Sequence, residues 1–227
     1  MSKSLPLVFA DIALIDRVLQ NIIDNREQFT SVVILTKNPG MLCDDSYLSI
    51  IKKPEMKPFT VQVTCAFWRD EVRRFFEPEA PSIESRLKAL SFLADHGIDT
   101  ELRIDPIFPS LRIDSSIAKH KPLKSYSLPE AQTHDDIVNL VRFAREARVK
   151  GVIGKTLKVP VSNRAKQCKD WFGDLYRDAA GGKRTTRGGS WRLPESYQKA
   201  LITTVLDVCN QAGIPFKHCM TDIMGRK

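Results

Sequence analysis

The sequence predicts an α/β fold made of parallel βα units. Short segments rich in valine, isoleucine and threonine alternate along the chain with longer segments whose apolar residues recur at helical spacing. A Gly-Ile step follows two of the helical segments and leads into a strand, at Gly97 and at Gly213. Strands that alternate with helices in this way are typical of parallel sheets, because each helix carries the chain back to the start of the next strand.

Five short apolar segments are predicted to be the strands of this sheet. They cover residues 32–36, 61–65, 102–104, 151–153 and 216–220, and residues 7–10 are a candidate for one more at the start. The carboxyl ends of parallel strands meet at one edge of a sheet, and this is where α/β proteins bind their ligands. We therefore expect functional residues at the ends of these segments.

Four segments are predicted to be helices, at residues 11–24, 82–96, 133–148 and 194–212. Each places its apolar residues on one face. Ser82 and Thr133 stand where N-cap residues belong, and Asp136 completes a capping-box pattern with Thr133. Gly97 and Gly213 follow the last apolar positions of their helices, as C-cap glycines do.

Composition limits the class of protein. The chain has 227 residues, of which 42% are hydrophobic, so we expect a single domain over residues 1–227, with irregular loops near 110–133 and 179–193. No apolar run approaches the ~20 residues that span a bilayer, and the start lacks a signal-peptide pattern. The cysteines do not form close pairs, which argues against a disulfide framework. A cytoplasmic protein without a membrane partner is expected, and its formal net charge of +8 favours anionic partners.

Polar residues at the predicted strand ends are the first candidates for chemistry. Lys37 follows the first strand and either pairs with an anion or stays in water. Thr64 ends the second strand and binds either a ligand or the backbone. Asp105 is a catalytic or a structural carboxylate at the third. The proline after Asp105 favours extended backbone, so the strand is expected to continue and to present Phe108 as part of an apolar wall.

Several of these segments also resemble a known family. They are Thr36-Lys37, the run from Glu77 to Ser82, Arg86-Leu87, His96-Gly97-Ile98 and the run from Arg103 to Pro109. In this order they resemble the second half of a radical S-adenosylmethionine domain, in the branch similar to spore photoproduct lyase. The resemblance covers residues 7–110. It implies a partial (β/α) barrel with mostly parallel strands, truncated at its N-terminal side.

The resemblance implies that the strand ends bind S-adenosylmethionine. Lys37 and Thr64 would orient this cofactor, and the segment from Asp105 to Phe108 would line its adenosine side. In the family, a reduced 4Fe-4S cluster cleaves the cofactor to a 5′-deoxyadenosyl radical, which takes a hydrogen atom from substrate. A DNA-repair lyase of this kind would act on damaged DNA. Cys65, beside Thr64, is either a hydrogen-atom donor or a packing residue.

The chain departs from the family at the cluster. The family holds its iron with a Cys-x3-Cys-x2-Cys motif near the start of the domain. The cysteines of this chain are far apart, at Cys43, Cys65, Cys168, Cys209 and Cys219. His120 and His134 have no partner at metal-ligand spacing, so the sequence predicts no metal site. Either an N-terminal cluster-bearing segment or chain completes the enzyme, or this chain has no cluster chemistry.

Two further expectations concern charged residues. Glu77 and Arg86 are predicted to form a structural ion pair that positions the loop between them over the mouth of the barrel. A basic glycine-rich loop contains Lys183, Arg184, Arg187, Trp191 and Arg192. It suits phosphate contacts and base stacking, or it is a solvated loop without a ligand. In the first case the alternative to an enzyme is a non-catalytic βα protein that binds nucleic acid or a nucleotide.

Overall fold

A computed structural model describes residues 12–109, 129–160, 169–173, 176 and 189–218, with backbone alone for residues 12–14. In this part of the chain five strands form one parallel sheet and lie side by side in chain order. They are β1 (Val32–Thr36), β2 (Phe59–Thr64), β3 (Asp99–Ile107), β4 (Gly151–Thr156) and β7 (Phe216–His218). Two short strands, β5 (Val159–Pro160) and β6 (Ser190–Trp191), form an antiparallel pair. The predicted α/β class with mostly parallel strands is confirmed.

One helix precedes the first described strand of the sheet, and the others lie between successive strands. The helices are α1 (Ile12–Asp24), α2 (Asp45–Ile51), α3 (Asp70–Phe76), α4 (Ile83–Asp95), α5 (His134–Glu146) and α6 (Glu195–Ala212), with 3-10 turns at Arg26–Gln28 and Pro39–Cys43. The sequence patterns predicted four of the helices but neither α2 nor α3. These two have seven residues each, which is too short for a helical period to stand out. No helix in the described ranges combines the length and apolar character needed to cross a membrane.

One face of the sheet is apolar, and the opposite face is polar over β2 and β3. Val61, Val63, Leu102, Ile104 and Val152 are fully buried on the first face, against which α4, α5 and α6 pack. Since side chains alternate along a strand, the residues between them belong to the opposite face. In β2 and β3 these residues are polar. Helices on one side and polar groups on the other are typical of the wall of a (β/α) barrel. We call the side opposite the helices the inner face of the sheet.

The helix ends form as their residues predict. Ser82 accepts a hydrogen bond from the Ser85 N–H, and Thr133 forms a complete capping box with Asp136. Gly97 and Gly213 adopt φ angles of 78° and 65°, a region in which residues with a Cβ are strained. The turns after α4 and α6 therefore depend on glycine to direct the chain into β3 and β7.

The strand β1 lies at an edge of the sheet and pairs with β2. Its Val33 and Leu35 are 47% and 55% exposed. They share the inner face with Thr60 and Gln62, their register partners on β2. The candidate strand at residues 7–10 lies outside the described residues.

Candidate functional site

Strand register places the two predicted cofactor contacts at the same level of the sheet. Thr36 pairs with Val63, so Lys37 and Thr64 are the next residues along neighbouring strands. The Thr64 side chain is buried, whereas the Lys37 side chain is 49% exposed. This edge therefore presents an accessible ammonium group beside the end of β2, as the sequence predicts for Lys37 and Thr64.

A buried carboxylate organises this edge. Glu77 follows α3, and its side chain is 8% exposed. Its Oε1 lies 2.6 Å from the Lys37 Nζ, and its Oε2 accepts a hydrogen bond of 2.8 Å from the Arg86 Nη2. The predicted Glu77–Arg86 ion pair is confirmed, and Lys37 joins it. Two cations share one carboxylate, so the group has a net positive charge.

Arg86 connects this ion group to the backbone. Its side chain is fully buried at the start of α4. The Nη1 donates to the Thr64 carbonyl at 2.9 Å, and the Nε donates to the Pro81 carbonyl at 2.9 Å. One guanidinium therefore binds Glu77, the end of β2 and the end of the loop before α4. Arginine suits this position because its donors are fixed in a planar fork.

A second arginine fixes the same loop from α3. The Arg73 Nη1 donates to the carbonyls of Glu77, Pro78 and Ala80, at 3.4, 3.4 and 2.9 Å. Its Nε and Nη2 donate to both carboxylate oxygens of Asp70, at 3.0 and 2.9 Å. The hydrogen bonds from Arg73 hold the pKa of Asp70 at about 2, below its ordinary value of 3.8. The loop that carries Glu77 is thus held at both ends.

Asp105 and Phe108, which are predicted to line the adenosine side, differ in exposure. Asp105 is 23% exposed, and its Oδ2 accepts a hydrogen bond of 2.6 Å from the Arg103 Nη2. The Asp105–Pro106 peptide is cis, and β3 continues to Ile107 with a shift in register, as expected for a strand that runs on. Phe108 is 5% exposed. Phe108 is therefore a buried support of this edge, and Asp105 is its accessible polar group.

Aromatic packing explains the burial of Phe108. Its ring centroid lies 5.4 Å from Phe67, 5.1 Å from Phe76 and 5.9 Å from Phe172. Phe76 immediately precedes Glu77, so this aromatic cluster anchors the residue before the carboxylate of the ion group. Aromatic pairs at these separations contribute about 0.5–1.5 kcal/mol beyond the area they bury.

Sequence reasoning missed a buried glutamine at this edge. Gln132 is fully buried before α5, and its Nε2 donates to the carbonyls of Ala66 and Pro106 at 2.6 and 3.0 Å. Its Oε1 accepts from the Phe108 N–H at 2.7 Å. Gln132 thus joins the ends of β2 and β3. Its position before the N-cap Thr133 gave no signal of these contacts.

The inner face of the sheet carries a continuous polar network. Lys217 Nζ donates to Glu101 at 2.7 Å, and Gln62 Nε2 donates to the same carboxylate at 2.8 Å. Arg103 Nη1 donates to the Gln62 Oε1 at 2.9 Å, and Arg103 also binds Asp105. The network spans β7, β3 and β2 and ends at the predicted adenosine side. The spacing of these residues on single strands did not predict it.

The described cysteines do not fit an iron–sulfur cluster. Cys65 and Cys209 are buried, and burial raises the pKa of each thiol to about 12. Burial also raises the pKa of the part-buried Cys43. Iron binds thiolate, so a raised pKa opposes it. No three histidine, cysteine or acidic residues come together at metal-binding distance in the described residues.

The basic loop is only partly described. Lys183, Arg184 and Arg187 lie outside the described residues. The Trp191 ring packs against the short helical segment 169–173, where a Cβ placed on Gly173 would lie 3.3 Å from it. Trp191 and Arg192 are each partly exposed. The part of the Trp191 ring near Gly173 is therefore used in packing.

Comparison of the sequence with known proteins gives a distant relative but no family. No family model matches the sequence. An uncharacterized protein of Methanocaldococcus jannaschii is 29% identical over 111 residues, which are 48% of this chain and 41% of that protein. The chain thus spans less than half of that relative.

Solved structures of spore photoproduct lyase superpose on most of the chain. A variant of the lyase gives a TM-score of 0.55 at 15% identity, over 90% of this chain and 54% of the lyase. The chain is therefore similar in fold to radical S-adenosylmethionine partial barrels. A second lyase variant, solved with bound AdoMet and dinucleoside spore photoproduct, gives 0.52 at 14% identity over the same shares. Streptococcus suis SuiB bound to its precursor peptide SuiA gives 0.50 at 13% identity, over 92% of this chain and 36% of SuiB.

Proposed function

We propose that this radical S-adenosylmethionine-like barrel binds S-adenosylmethionine at the carboxyl edge of its sheet. The observation that carries the proposal is the group of Lys37, Glu77 and Arg86 at the ends of β1 and β2. Its net positive charge and its half-exposed ammonium favour an anionic group on the ligand. The methionine moiety of the cofactor has such a group, a carboxylate.

The donors of Lys37 are sufficient for both partners. An ammonium group has three N–H bonds, and the contact with Glu77 uses one of them. The remaining donors are available to the cofactor carboxylate. In the proposal Thr64 borders the same end of the ligand, and the Asp105 carboxylate accepts hydrogen bonds from the ribose. Phe108 holds the adenosine side in place from within the aromatic cluster.

A second part of the protein is required for radical chemistry in this proposal. S-adenosylmethionine supplies a 5′-deoxyadenosyl radical when an iron–sulfur cluster reduces it. The described cysteines do not fit such a cluster, so we place its ligands on a separate segment or on a partner chain. The contribution of the described residues is to bind and orient the cofactor and to keep water from it at the sheet edge.

Binding of S-adenosylmethionine to the purified chain tests the proposal by calorimetry, without any cluster. A charged hydrogen bond contributes about 1.5–3 kcal/mol, so Lys37→Met is expected to weaken binding about 10–100-fold. Lys52→Met is the matched control, because Lys52 is an exposed lysine at the C-cap of α2. The proposal is wrong if the wild-type chain does not bind millimolar cofactor, or if Lys37→Met binds it as tightly as wild type.

Nucleic acid remains the alternative ligand class. The formal net charge of +8 and the basic loop favour it, and damaged DNA is the substrate we propose if the completed protein is a lyase. Fluorescence anisotropy with a labelled oligonucleotide at low salt tests this. Replacing Lys183, Arg184 and Arg187 with alanine is expected to abolish binding. An unchanged affinity in that variant would exclude the loop as the interface.

A further inference from the structure

We infer that Glu77 is a positioning residue, which holds the ammonium group of Lys37 at the place where it meets a carboxylate ligand. This inference rests on the proposed function, because Lys37 is the proposed cofactor contact. It assigns a role to a residue that does not itself touch the ligand. It also predicts which chemical group of the ligand will respond when Glu77 is changed.

The two oxygens of Glu77 have different partners with different freedom. Oε2 is bound to Arg86, which is fully buried, and Oε1 is bound to Lys37, which is half exposed. Arg86 cannot follow the carboxylate, because it also binds the Thr64 and Pro81 carbonyls. The buried side of the carboxylate is thus fixed, and Lys37 is the partner that becomes ordered.

The backbone around Glu77 is fixed as well. The Glu77 N–H donates to the Arg73 carbonyl at 2.6 Å, and the Arg73 side chain holds the carbonyls that follow. A lysine side chain on a flexible four-carbon stem loses rotamer freedom when it binds a ligand. Glu77 removes part of that loss before the ligand arrives, because the ammonium group is already in place.

A purely structural role for Glu77 predicts a different outcome. If Glu77 only neutralised Arg86, its replacement would loosen the whole edge and weaken every ligand of the site equally. A positioning role affects only a ligand that carries a carboxylate, and only while Lys37 is present. Two ligands and a double variant therefore separate the two roles.

The ligands are S-adenosylmethionine and 5′-methylthioadenosine, which has no carboxylate. Glu77→Gln is expected to weaken S-adenosylmethionine about threefold to tenfold and to leave 5′-methylthioadenosine unchanged. In a Lys37→Met background, Glu77→Gln is expected to have no further effect on the affinity for S-adenosylmethionine. Glu79→Gln is the control, because Glu79 is an exposed glutamate in the same loop. Equal weakening of both ligands, or additive effects in the double variant, would overturn the inference.

A ligand-free measurement covers the case in which the proposed function fails. In 15N-labelled protein, a hydrogen-bonded ammonium group exchanges its protons slowly enough to give an NH3 signal at low temperature. Lys37 is expected to show this signal in wild type and in Glu79→Gln, and to lose it in Glu77→Gln. Urea unfolding checks that each variant is folded. If Glu77→Gln does not fold, Glu77→Asp replaces it, because its shorter side chain withdraws the carboxylate from Lys37. A wild-type chain that binds no S-adenosylmethionine ends the proposed function. A Lys37 signal that persists in a folded Glu77 variant ends the positioning role.

Discussion

Replacing Arg86 with methionine is expected to destabilise the protein strongly. Methionine keeps most of the apolar volume of the stem but removes every donor. Glu77 then loses its buried cation, and the Thr64 and Pro81 carbonyls lose their charged donor. The substitution therefore tests whether this guanidinium holds the sheet edge together.

The expected size of the effect follows from the burial of both partners. Removing one member of a buried ion pair typically costs about 3–5 kcal/mol, because the other charge is left buried. Here Lys37 still faces the carboxylate, but its side chain is half exposed and compensates only in part. We therefore expect a loss near the lower end, about 3 kcal/mol, from a total that is about 5–15 kcal/mol for a typical domain.

Urea unfolding of four proteins measures this effect: wild type, Arg86→Met, Glu77→Gln/Arg86→Met and Lys88→Met. The double variant is expected to recover about 1–2 kcal/mol, because it leaves no buried charge without a partner, and Lys37 is half exposed. Lys88 is the control on the same helix, where it forms an exposed pair with Glu84, and its variant is expected to unfold like wild type. A loss below about 1 kcal/mol for Arg86→Met, or a double variant less stable than Arg86→Met, would refute the reasoning.

Three other predictions concern stability and reactivity. The pKa of Asp70 is depressed to about 2, so its contribution is present above pH 3.8 and is lost as the pH falls toward 2. The difference in unfolding free energy between wild type and Asp70→Asn should therefore shrink by about 1–2 kcal/mol between pH 5 and pH 2, and a constant difference would contradict this. Cys65 and Cys209 should resist iodoacetamide at pH 8 until the protein unfolds, as peptide mass spectrometry can show, because burial raises the pKa of both thiols to about 12. Gln132→Leu should cost about 2–4 kcal/mol in urea unfolding, because it leaves a buried N–H and two carbonyls without this partner, and a loss below about 1 kcal/mol would count against that role.

Residues that act through local patterns could be predicted from the sequence. The strands follow from apolar runs, and their parallel order follows from the helices between them. Once the order is known, Lys37 and Thr64 must lie at the same edge. Ser82 and Thr133 cap their helices through contacts three residues away, which a sequence displays directly.

Contacts between distant segments could not be predicted in the same way. Gln132 binds a carbonyl 66 positions away, and Lys37 binds a glutamate beyond the next strand. Either residue has several equally suitable partners in the sequence, and only the packing of the helices selects one. The sequence predicted the Glu77–Arg86 ion pair, but it did not predict that Lys37 joins this pair or that Gln132 connects two strand ends.

The ammonium group of Lys217 attaches β7, at one edge of the sheet, to Glu101 on β3. The described part of β7 has three residues, the short end of the usual range for strands. Its lysine, however, neutralises Glu101, whose side chain is 8% exposed. Separation of β7 from the sheet would leave the mostly buried Glu101 carboxylate without this cation. An ion pair thus ties β7 to the middle of the sheet, and deletion of the chain from Phe216 onward is expected to destabilise β3 as well as to remove β7.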